Sequence, residues 1–350
     1  MKRIGVLTSG GDAPGMNAAV RAVVRTALTN NMSVVGFKRG YNGLLMRSIR
    51  PEDDYIEMNA RSVSGIIHKG GTTLMTARCK EFHKLAVQKE AIRNLKALGV
   101  EGLVCIGGNG TFAGAQALCQ LGMPCIGIPG TIDNDLAYTD FTIGFDTALN
   151  TAVEAVNRIR DTGDAHERAS LVTVMGRDCG DIAVYTALAC GAELAIIPEV
   201  EWTLEDVADT VHKGVVGGKR SMIMILAEGA QSSLKTDLKE LRKEYPKLRF
   251  TKEHITSSQF AEVIEELSGH ETRATVLGYT QRGGSPTAND RILGTRTGSR
   301  AVELLRDGIG NRAVGIRDNK IIDIPLMDAM NGSTFDPDLY KLVSVTGSIK

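Results

Sequence analysis

From residue 3 to residue 305 the chain alternates between short runs that are apolar throughout and longer segments whose apolar residues recur at helical spacing. The runs 3–8, 34–37, 102–106, 125–128, 170–174, 194–197, 221–226 and 274–277 read as strands. Segments 16–29, 87–98, 113–121, 147–160, 182–190, 204–215 and 290–305 read as helices. A strand with no polar face is covered on both sides, which is the condition of a parallel sheet between two helical layers. The alternation therefore predicts an α/β protein with doubly wound, mostly parallel sheets, and 350 residues suffice for two domains. Segment 232–254 departs from the pattern. It is rich in Lys, Glu and Arg and reads as a helix plus an exposed loop inserted between core elements.

Several function classes drop out on composition. Lys plus Arg (41) balances Asp plus Glu (41), so no global field draws in nucleic acid or an anionic membrane, and basic residues must bind anions locally. No apolar run reaches membrane-spanning length. The first residues read as a strand rather than a signal peptide, because their apolar part is short and glycines interrupt it. The six cysteines are widely spaced without a CxxC pair, which predicts free thiols in a reducing cytoplasm.

Four turns that follow expected strands concentrate the chemistry, and in open α/β sheets ligands bind at the carboxyl ends of strands. Thr8–Gly15, TSGGDAPG, places tandem glycines before a helix N-terminus, which suits a phosphate and equally suits a tight strand-to-helix turn. Gly107–Thr111, GGNGT, repeats that arrangement with an amide where a metal ligand can sit; the plainer reading is a turn with Asn at positive φ. In PGTIDND, Asp133 and Asp135 converge on one site if the segment is extended. A carboxylate pair beside a metal suits proton abstraction from a hydroxyl; an Asx-turn cluster is the structural alternative. Arg177 follows the fourth turn, and Arg78, Arg168, Arg273 and Arg282 add guanidinium groups that together can hold two phosphoryl groups, although each alone reads as a surface arginine. Phosphate turns, carboxylates and arginines together read as phosphoryl transfer, which rests on positioning and charge neutralisation.

In series, LTSGGDAPGMNAAVR, GGNGT, IPGTIDNDL, VMGR, ETRATVLG and QRGGSP resemble the bacterial phosphofructokinases over nearly the whole chain. The resemblance implies a phosphofructokinase fold with its active site in a cleft between two domains. Residues 1–144 with 281–331 would form the larger, ATP-binding domain, and 145–280 with 332–350 the smaller, sugar-phosphate-binding domain. It implies transfer of a phosphoryl group from ATP to the 1-hydroxyl of fructose 6-phosphate, the committed step of glycolysis, with Mg²⁺ as cofactor. Asp133 resembles the general base, flanked by Thr131 and Asp135, and Arg177 the transition-state cation, with Met175 and Gly176 beside the sugar. Glu228, Arg273 and Arg282 would hold the sugar and its 6-phosphate, and Arg168 would reach the phosphate too. In this family Arg168 and Arg273 enter from a neighbouring subunit, implying a homotetramer. Gly11, Tyr41, Arg78, Cys79, Gly108, Gly110, Thr111 and Gly114 would line the ATP site, and Gly110 and Gly130 stand where pyrophosphate-using relatives carry Asp and Lys.

Departures from the family pattern bear on function. Asn109 replaces an aspartate that supports Mg²⁺, so the metal position, shared with Asp135, lacks one negative charge. Tyr279 replaces a substrate-contacting histidine and cannot become cationic. Arg21 and Arg25 share one helix face; with Arg160, Glu193, Lys219 and Arg220 they resemble an effector site for ADP or phosphoenolpyruvate, from which Ala60, Gly65 and Gly217 remove polar groups. These departures leave two further readings: a catalytically weak nucleotide-binding paralogue acting as a regulatory subunit, and a kinase for a related sugar phosphate.

Overall fold

The apolar runs are strands and the helix-spaced segments are helices in the computed structural model, whose described residues are 1–247 and 255–347. The first part of the chain runs β1 (Arg3–Thr8), α1 (Met16–Thr29), β2 (Ser33–Phe37), α2 (Tyr41–Leu45), β3 (Tyr55–Met58), α3 (Leu85–Ala97), β4 (Gly102–Gly107), α4 (Asn109–Gln120), β5 (Cys125–Thr131) and β6 (Ile143–Gly144). Then come α5 (Phe145–His166), β7 (Ala169–Val174), α6 (Asp181–Cys190), β8 (Leu194–Ile196), α7 (Leu204–Val216), β9 (Met222–Ala227), α8 (Leu238–Glu244), α9 (Ser257–Ser268) and β10 (Thr272–Val276). The chain closes with α10 (Ala288–Arg306), β11 (Arg312–Arg317), β12 (Lys320–Pro325) and α11 (Pro337–Gly347).

Two units divide these elements, Met1–Ala148 with Arg282–Ser333 and Leu149–Gln281 with Thr334–Lys350. The first holds a sheet in the order β12-β11-β5-β4-β1-β2-β3, with β6 paired to β5. Its central pairings are parallel, and only β2–β3 and β11–β12 are antiparallel. The second holds an all-parallel sheet in the order β10-β7-β9-β8. Strands β4, β5, β7 and β9 are buried at every residue, as their unbroken apolar runs require.

Sheet order selects where a ligand can sit. In the first unit the chain leaves β1 for β2 and later returns to place β4 on the other side of β1, so the loops after β1 and β4 part at a topological switch point. They remain stitched together: Ser9 N donates to Ile106 O at 3.0 Å and Thr111 Oγ1 to Ser9 O at 3.1 Å.

The sequence reading needs correction at several elements, while the helix expected in segment 232–254 is present. Helix α4 starts at Asn109 rather than residue 113, so the GGNGT turn is itself a helix N-terminus. Strand β11, edge strand β12, helix α9 and helix α11 lie outside the expected elements; β12 is half-exposed along its length and lacks the unbroken apolar signature of the central strands. In segment 232–254 the helix is α8, capped by the Asp237 carboxylate on Lys239 N at 2.8 Å. Residues 248–254, where the exposed loop was expected, lie outside the described residues.

Candidate active site

Strand ends of the first unit bring Gly11, Asn109, Gly110, Thr131, Asp133, Asp135 and Arg282 to the switch-point side of the sheet. Asp133 follows β5 directly and is buried. Its N–H donates to Thr131 Oγ1 at 3.1 Å, and its Oδ1 lies 3.8 Å from Arg282 Nη2. That guanidinium also donates from Nη1 to Asp12 O at 3.1 Å, and a side-chain carbon at Gly11 would fall 2.7 Å from Nη1. Glycine at position 11 thus leaves the space that Arg282 occupies.

The loop carrying Asp133 is bent, not extended as the convergence of Asp133 and Asp135 required. Asn134 between them has φ 56, the left-handed region that Asn tolerates with a local hydrogen bond. Its Oδ1 accepts Thr142 N at 3.0 Å, and Thr142 Oγ1 donates to Thr131 O at 2.7 Å. Asp135 is placed by a different partner, Asn109, whose Nδ2 donates to Asp135 Oδ2 at 3.0 Å and to Asp135 O at 3.4 Å. Only the NH₂ of the amide can face a carboxylate, so Asn109 Oδ1 is turned the other way, where it is buried without a hydrogen-bond partner. Of these two asparagines Asn134 has the positive φ, while Asn109 opens a helix.

Helix α4 presents its N-terminal turn, from Asn109, and the positive end of its dipole. A side-chain carbon at Gly110 would meet nothing within 4 Å, whereas at Gly130 it would approach Ile106 and Met16 at 3.0 and 3.1 Å. Gly108 stands 3.5 Å by the same measure from Thr131. Thr111 is buried, and its carbonyl accepts the Tyr41 hydroxyl. Tyr41 lies in the core under α4, its ring stacked on Phe82 at 4.3 Å and pressed against Gly114. Burial pushes its phenol well above its ordinary value, which keeps it a donor. Nearby, Cys79 is half-buried, with its thiol pushed up by burial, and Arg78 is exposed.

In the second unit, Met175, Gly176 and Arg177 follow β7, Glu228 follows β9, and Tyr279 and Gln281 lie beyond β10. Arg177 N donates to Glu228 Oε1 at 2.9 Å, and Met175 N to Gln281 Oε1 at 2.8 Å. Gly176 has φ 131 and Arg177 φ 53, so an arginine is held at a strand end in a conformation that costs energy and persists where surroundings enforce it. Arg177, Glu228 and Tyr279 are exposed. Gln281 is a site residue that sequence reasoning missed: it is fully buried and its Nε2 has no partner. Its place inside QRGGSP, between Tyr279 and Arg282, was the available signal. Arg168 and Arg273 share Glu271, Arg168 Nε at 2.9 Å, and Arg273 Nη1 also reaches Glu265 at 3.2 Å.

Of the expected effector residues, Arg21 and Arg25 lie on α1, and Arg25 Nη2 reaches Ala60 O at 3.5 Å. In the second unit Lys219 Nζ binds the buried Glu193 Oε1 at 2.6 Å and Gly347 O at 2.8 Å, while Glu193 Oε2 accepts Ile223 N at 2.6 Å. Arg160 donates to Cys190 O, and Arg220 is exposed.

A divalent cation fits the first cluster. No group of three His, Cys, Asp or Glu side chains suited to a metal occurs among the described residues. Mg²⁺, however, takes one or two carboxylates, substrate phosphates and water. Asn109 Oδ1 and Asp133 Oδ1 are buried oxygen atoms without hydrogen-bond partners, and the Asn109 amide holds the Asp135 carboxylate through its NH₂.

The fold is matched elsewhere. The Phosphofructokinase family model matches residues 3–305. The chain is 52% identical over 347 residues to a Clostridioides difficile protein named ATP-dependent 6-phosphofructokinase, covering 99% of both. It is 50% identical to a protein of that name from Clostridium tetani, covering 98% of both. Among solved structures, the phosphofructokinase of Saccharomyces cerevisiae aligns with TM-score 0.81 and 33% identity, over 99% of this chain but 47% of the yeast chain. A pyrophosphate-dependent phosphofructokinase from Marinobacter aquaeolei shares the fold, with TM-score 0.79 and 22% identity over 98% of this chain and 91% of that one. With two parallel sheets, turns of this kind at their strand ends and a family match across most of its length, the chain belongs to the phosphofructokinase family.

Proposed function

We infer that the protein is an ATP-dependent 6-phosphofructokinase, a phosphotransferase that moves the terminal phosphoryl group of ATP to the 1-hydroxyl of fructose 6-phosphate. The observation that carries this reading is Asp133: a buried carboxylate beside Arg282, at the switch point, with an oxygen that no hydrogen bond occupies. Such a carboxylate suits removal of a hydroxyl proton as the oxygen attacks phosphorus. Thr131 holds the Asp133 backbone. The unit with Met1–Ala148 and Arg282–Ser333 is assigned to ATP, through the α4 N-terminus, Gly11, Gly108, Gly110, Thr111 and Gly114, with Tyr41, Arg78 and Cys79 around them. The open space at Gly110 supports a nucleotide over pyrophosphate. The other unit is assigned to the sugar phosphate, through Met175, Gly176, Glu228, Tyr279, Arg168 and Arg273. Arg282 is likewise assigned to the sugar phosphate. Arg177 is the cation that neutralises charge developing on the transferred group.

Asn109 Oδ1 and Asp135 would hold Mg²⁺, which supplies charge neutralisation on the ATP phosphates when bound. A homotetramer is supported by the outer edge of β10, which pairs with no strand among the described residues and where Val276 is exposed and Arg273 faces solvent. Arg21, Arg25, Arg160, Glu193, Lys219 and Arg220 are assigned to ADP or phosphoenolpyruvate as effectors. A cytoplasmic setting fits six free cysteines and the want of any membrane-spanning helix among the described residues.

The deciding experiment is formation of fructose 1,6-bisphosphate from fructose 6-phosphate, run with ATP and with pyrophosphate, with and without Mg²⁺. Turnover with ATP and Mg²⁺ is expected, and Asp133→Asn should lower kcat by about 10²–10⁴-fold with the fold intact. Full activity in that variant, or turnover with pyrophosphate alone, defeats the assignment.

A further inference from the structure

One turn of the second unit is held from three sides. It follows β7 and carries Met175, Gly176 and Arg177 on the way to α6. In the sheet order β10-β7-β9-β8, a side chain from beyond each of the other strands reaches it. Beyond β10, Gln281 Oε1 accepts Met175 N at 2.8 Å. Just after β9, Glu228 Oε1 accepts Arg177 N at 2.9 Å. Beyond β8, Glu199 Oε1 accepts Gly180 N at 2.8 Å. The turn also closes on itself, with Cys179 N donating to Gly176 O at 2.9 Å, and Glu228 N fixes its root by donating to Val174 O at 2.9 Å.

We propose that Gln281 and Glu199 are positioning residues for Arg177: they clamp the two ends of its turn and so aim the guanidinium group assigned to the transferred phosphoryl group. The turn needs a clamp because it is strained. Arg177 has φ 53, following Gly176 at φ 131, and an arginine in the left-handed region stays there only where its surroundings enforce it. Its neighbours are shaped for that conformation. A side-chain carbon at Gly229 would collide with the Arg177 carbonyl, and one at Gly180 would fall 2.6 Å from Glu199 Oε2.

Each clamp commits one polar atom to the turn and leaves the other idle. Gln281 is fully buried. Met175 N is a donor, so the amide must turn its oxygen toward it, which leaves Nε2 buried without a partner. Glu199 gives Oε1 to Gly180 N, and its Oε2 is likewise buried and unpartnered. An orphaned buried polar atom costs free energy, so it marks a side chain kept for the one bond that it does make. In both cases that bond fixes the backbone on one side of Arg177.

The kinetic consequence rests on the assignment of Arg177 to the transferred group; the clamp itself does not. A cation matched to charge that develops in the transition state acts on rate more than on substrate affinity. Losing either clamp should therefore lower kcat by about 10–10²-fold, the effect of misplacing a reacting group by about 1 Å. The KM for fructose 6-phosphate should stay within about twofold of wild type.

The test compares the purified full-length protein with variants of the two clamps. Glu199→Leu and Gln281→Met remove the accepting oxygen, while Glu199→Gln keeps it. Gln281→Asn, one methylene too short to reach Met175, takes the place of Gln281→Met if that variant does not fold. Kinetics with ATP and fructose 6-phosphate are measured for each variant, alone and combined with Arg177→Ala, and amide hydrogen exchange of peptides covering residues 175–180 is followed by mass spectrometry. Expected are the fall in kcat with KM held, faster exchange across 175–180, near wild-type behaviour in Glu199→Gln, and no further fall in kcat when either clamp variant is added to Arg177→Ala. Unaltered exchange overturns the clamp. A fall in kcat that multiplies with that of Arg177→Ala overturns positioning, because a merely structural loss acts in either background. A wild type that does not turn over these substrates, or an Arg177→Ala variant with full kcat, faults the assignment of Arg177 instead, and the exchange measurement then decides the clamp by itself.

Discussion

Replacing Asn109 by Asp tests how a missing charge is handled beside the Asp135 carboxylate. In the wild type the amide donates to Asp135 Oδ2 at 3.0 Å. In Asn109→Asp that donor becomes a carboxylate oxygen at the same distance, and two unit charges 3 Å apart at an effective dielectric near 20 repel by about 5 kcal/mol gross. The lost hydrogen bond to a charged group adds about 1.5–3 kcal/mol. Water and a shared proton relieve much of the sum, so the metal-free variant should unfold with about 2–3 kcal/mol less stability. A dication reverses the sign. At about 4 Å it gains about 8 kcal/mol gross from one added negative charge, and even if desolvation cancels four-fifths, Mg²⁺ affinity rises about tenfold. Calorimetric titration with Mg²⁺, together with urea unfolding in EDTA and in excess Mg²⁺, reads both effects without reference to turnover. The expected pattern is a variant less stable than wild type without metal and tighter in its metal affinity. Unchanged affinity and unchanged metal-free stability together would refute the reasoning, because they would mean that position 109 meets neither Asp135 nor the cation.

Other outcomes follow from the same geometry. Asp290 is buried, and desolvation raises it to about 6 despite hydrogen bonds from Gly144 N and Thr147. Because the folded state holds this proton more tightly than the unfolded state, the contribution is present below about pH 4 and lost as pH rises through 6, up to about 3 kcal/mol; urea midpoints across that window should show a slope that Asp290→Asn reduces. Gly114→Ala drives a methyl to 2.6 Å from the Tyr41 ring, so Tyr41 must shift and stability should fall by about 1–3 kcal/mol, read by thermal unfolding. Lys219→Met leaves the buried Glu193 carboxylate without its cation and should cost about 3–5 kcal/mol; Lys219→Met with Glu193→Gln should recover most of it.

Some of this site was legible in the sequence because it depends on neighbours along the chain. Glycines before α1 and α4, the carboxylates after β5 and the arginine after β7 occupy turns whose positions the apolar runs reveal. The conformation inside those turns was less legible. Asn134 adopts a left-handed φ because Thr142, eight residues on, supplies its hydrogen bond, and no local pattern announces that partner. Half-exposed β12 and the short helix α9 blend apolar and polar residues, so periodicity does not separate them from loops.

By itself, the sequence determined the alternation of strand and helix, hence parallel sheets covered on both sides, since a strand with no polar face must be buried twice. Only the tertiary structure decided which strand ends meet. Asn109 reaches Asp135 because β4 lies beside β5, and Arg282 reaches Asp133 although 149 positions separate them. Sheet order sets these distances, and it is fixed by the packing of whole elements rather than by residue spacing along the chain.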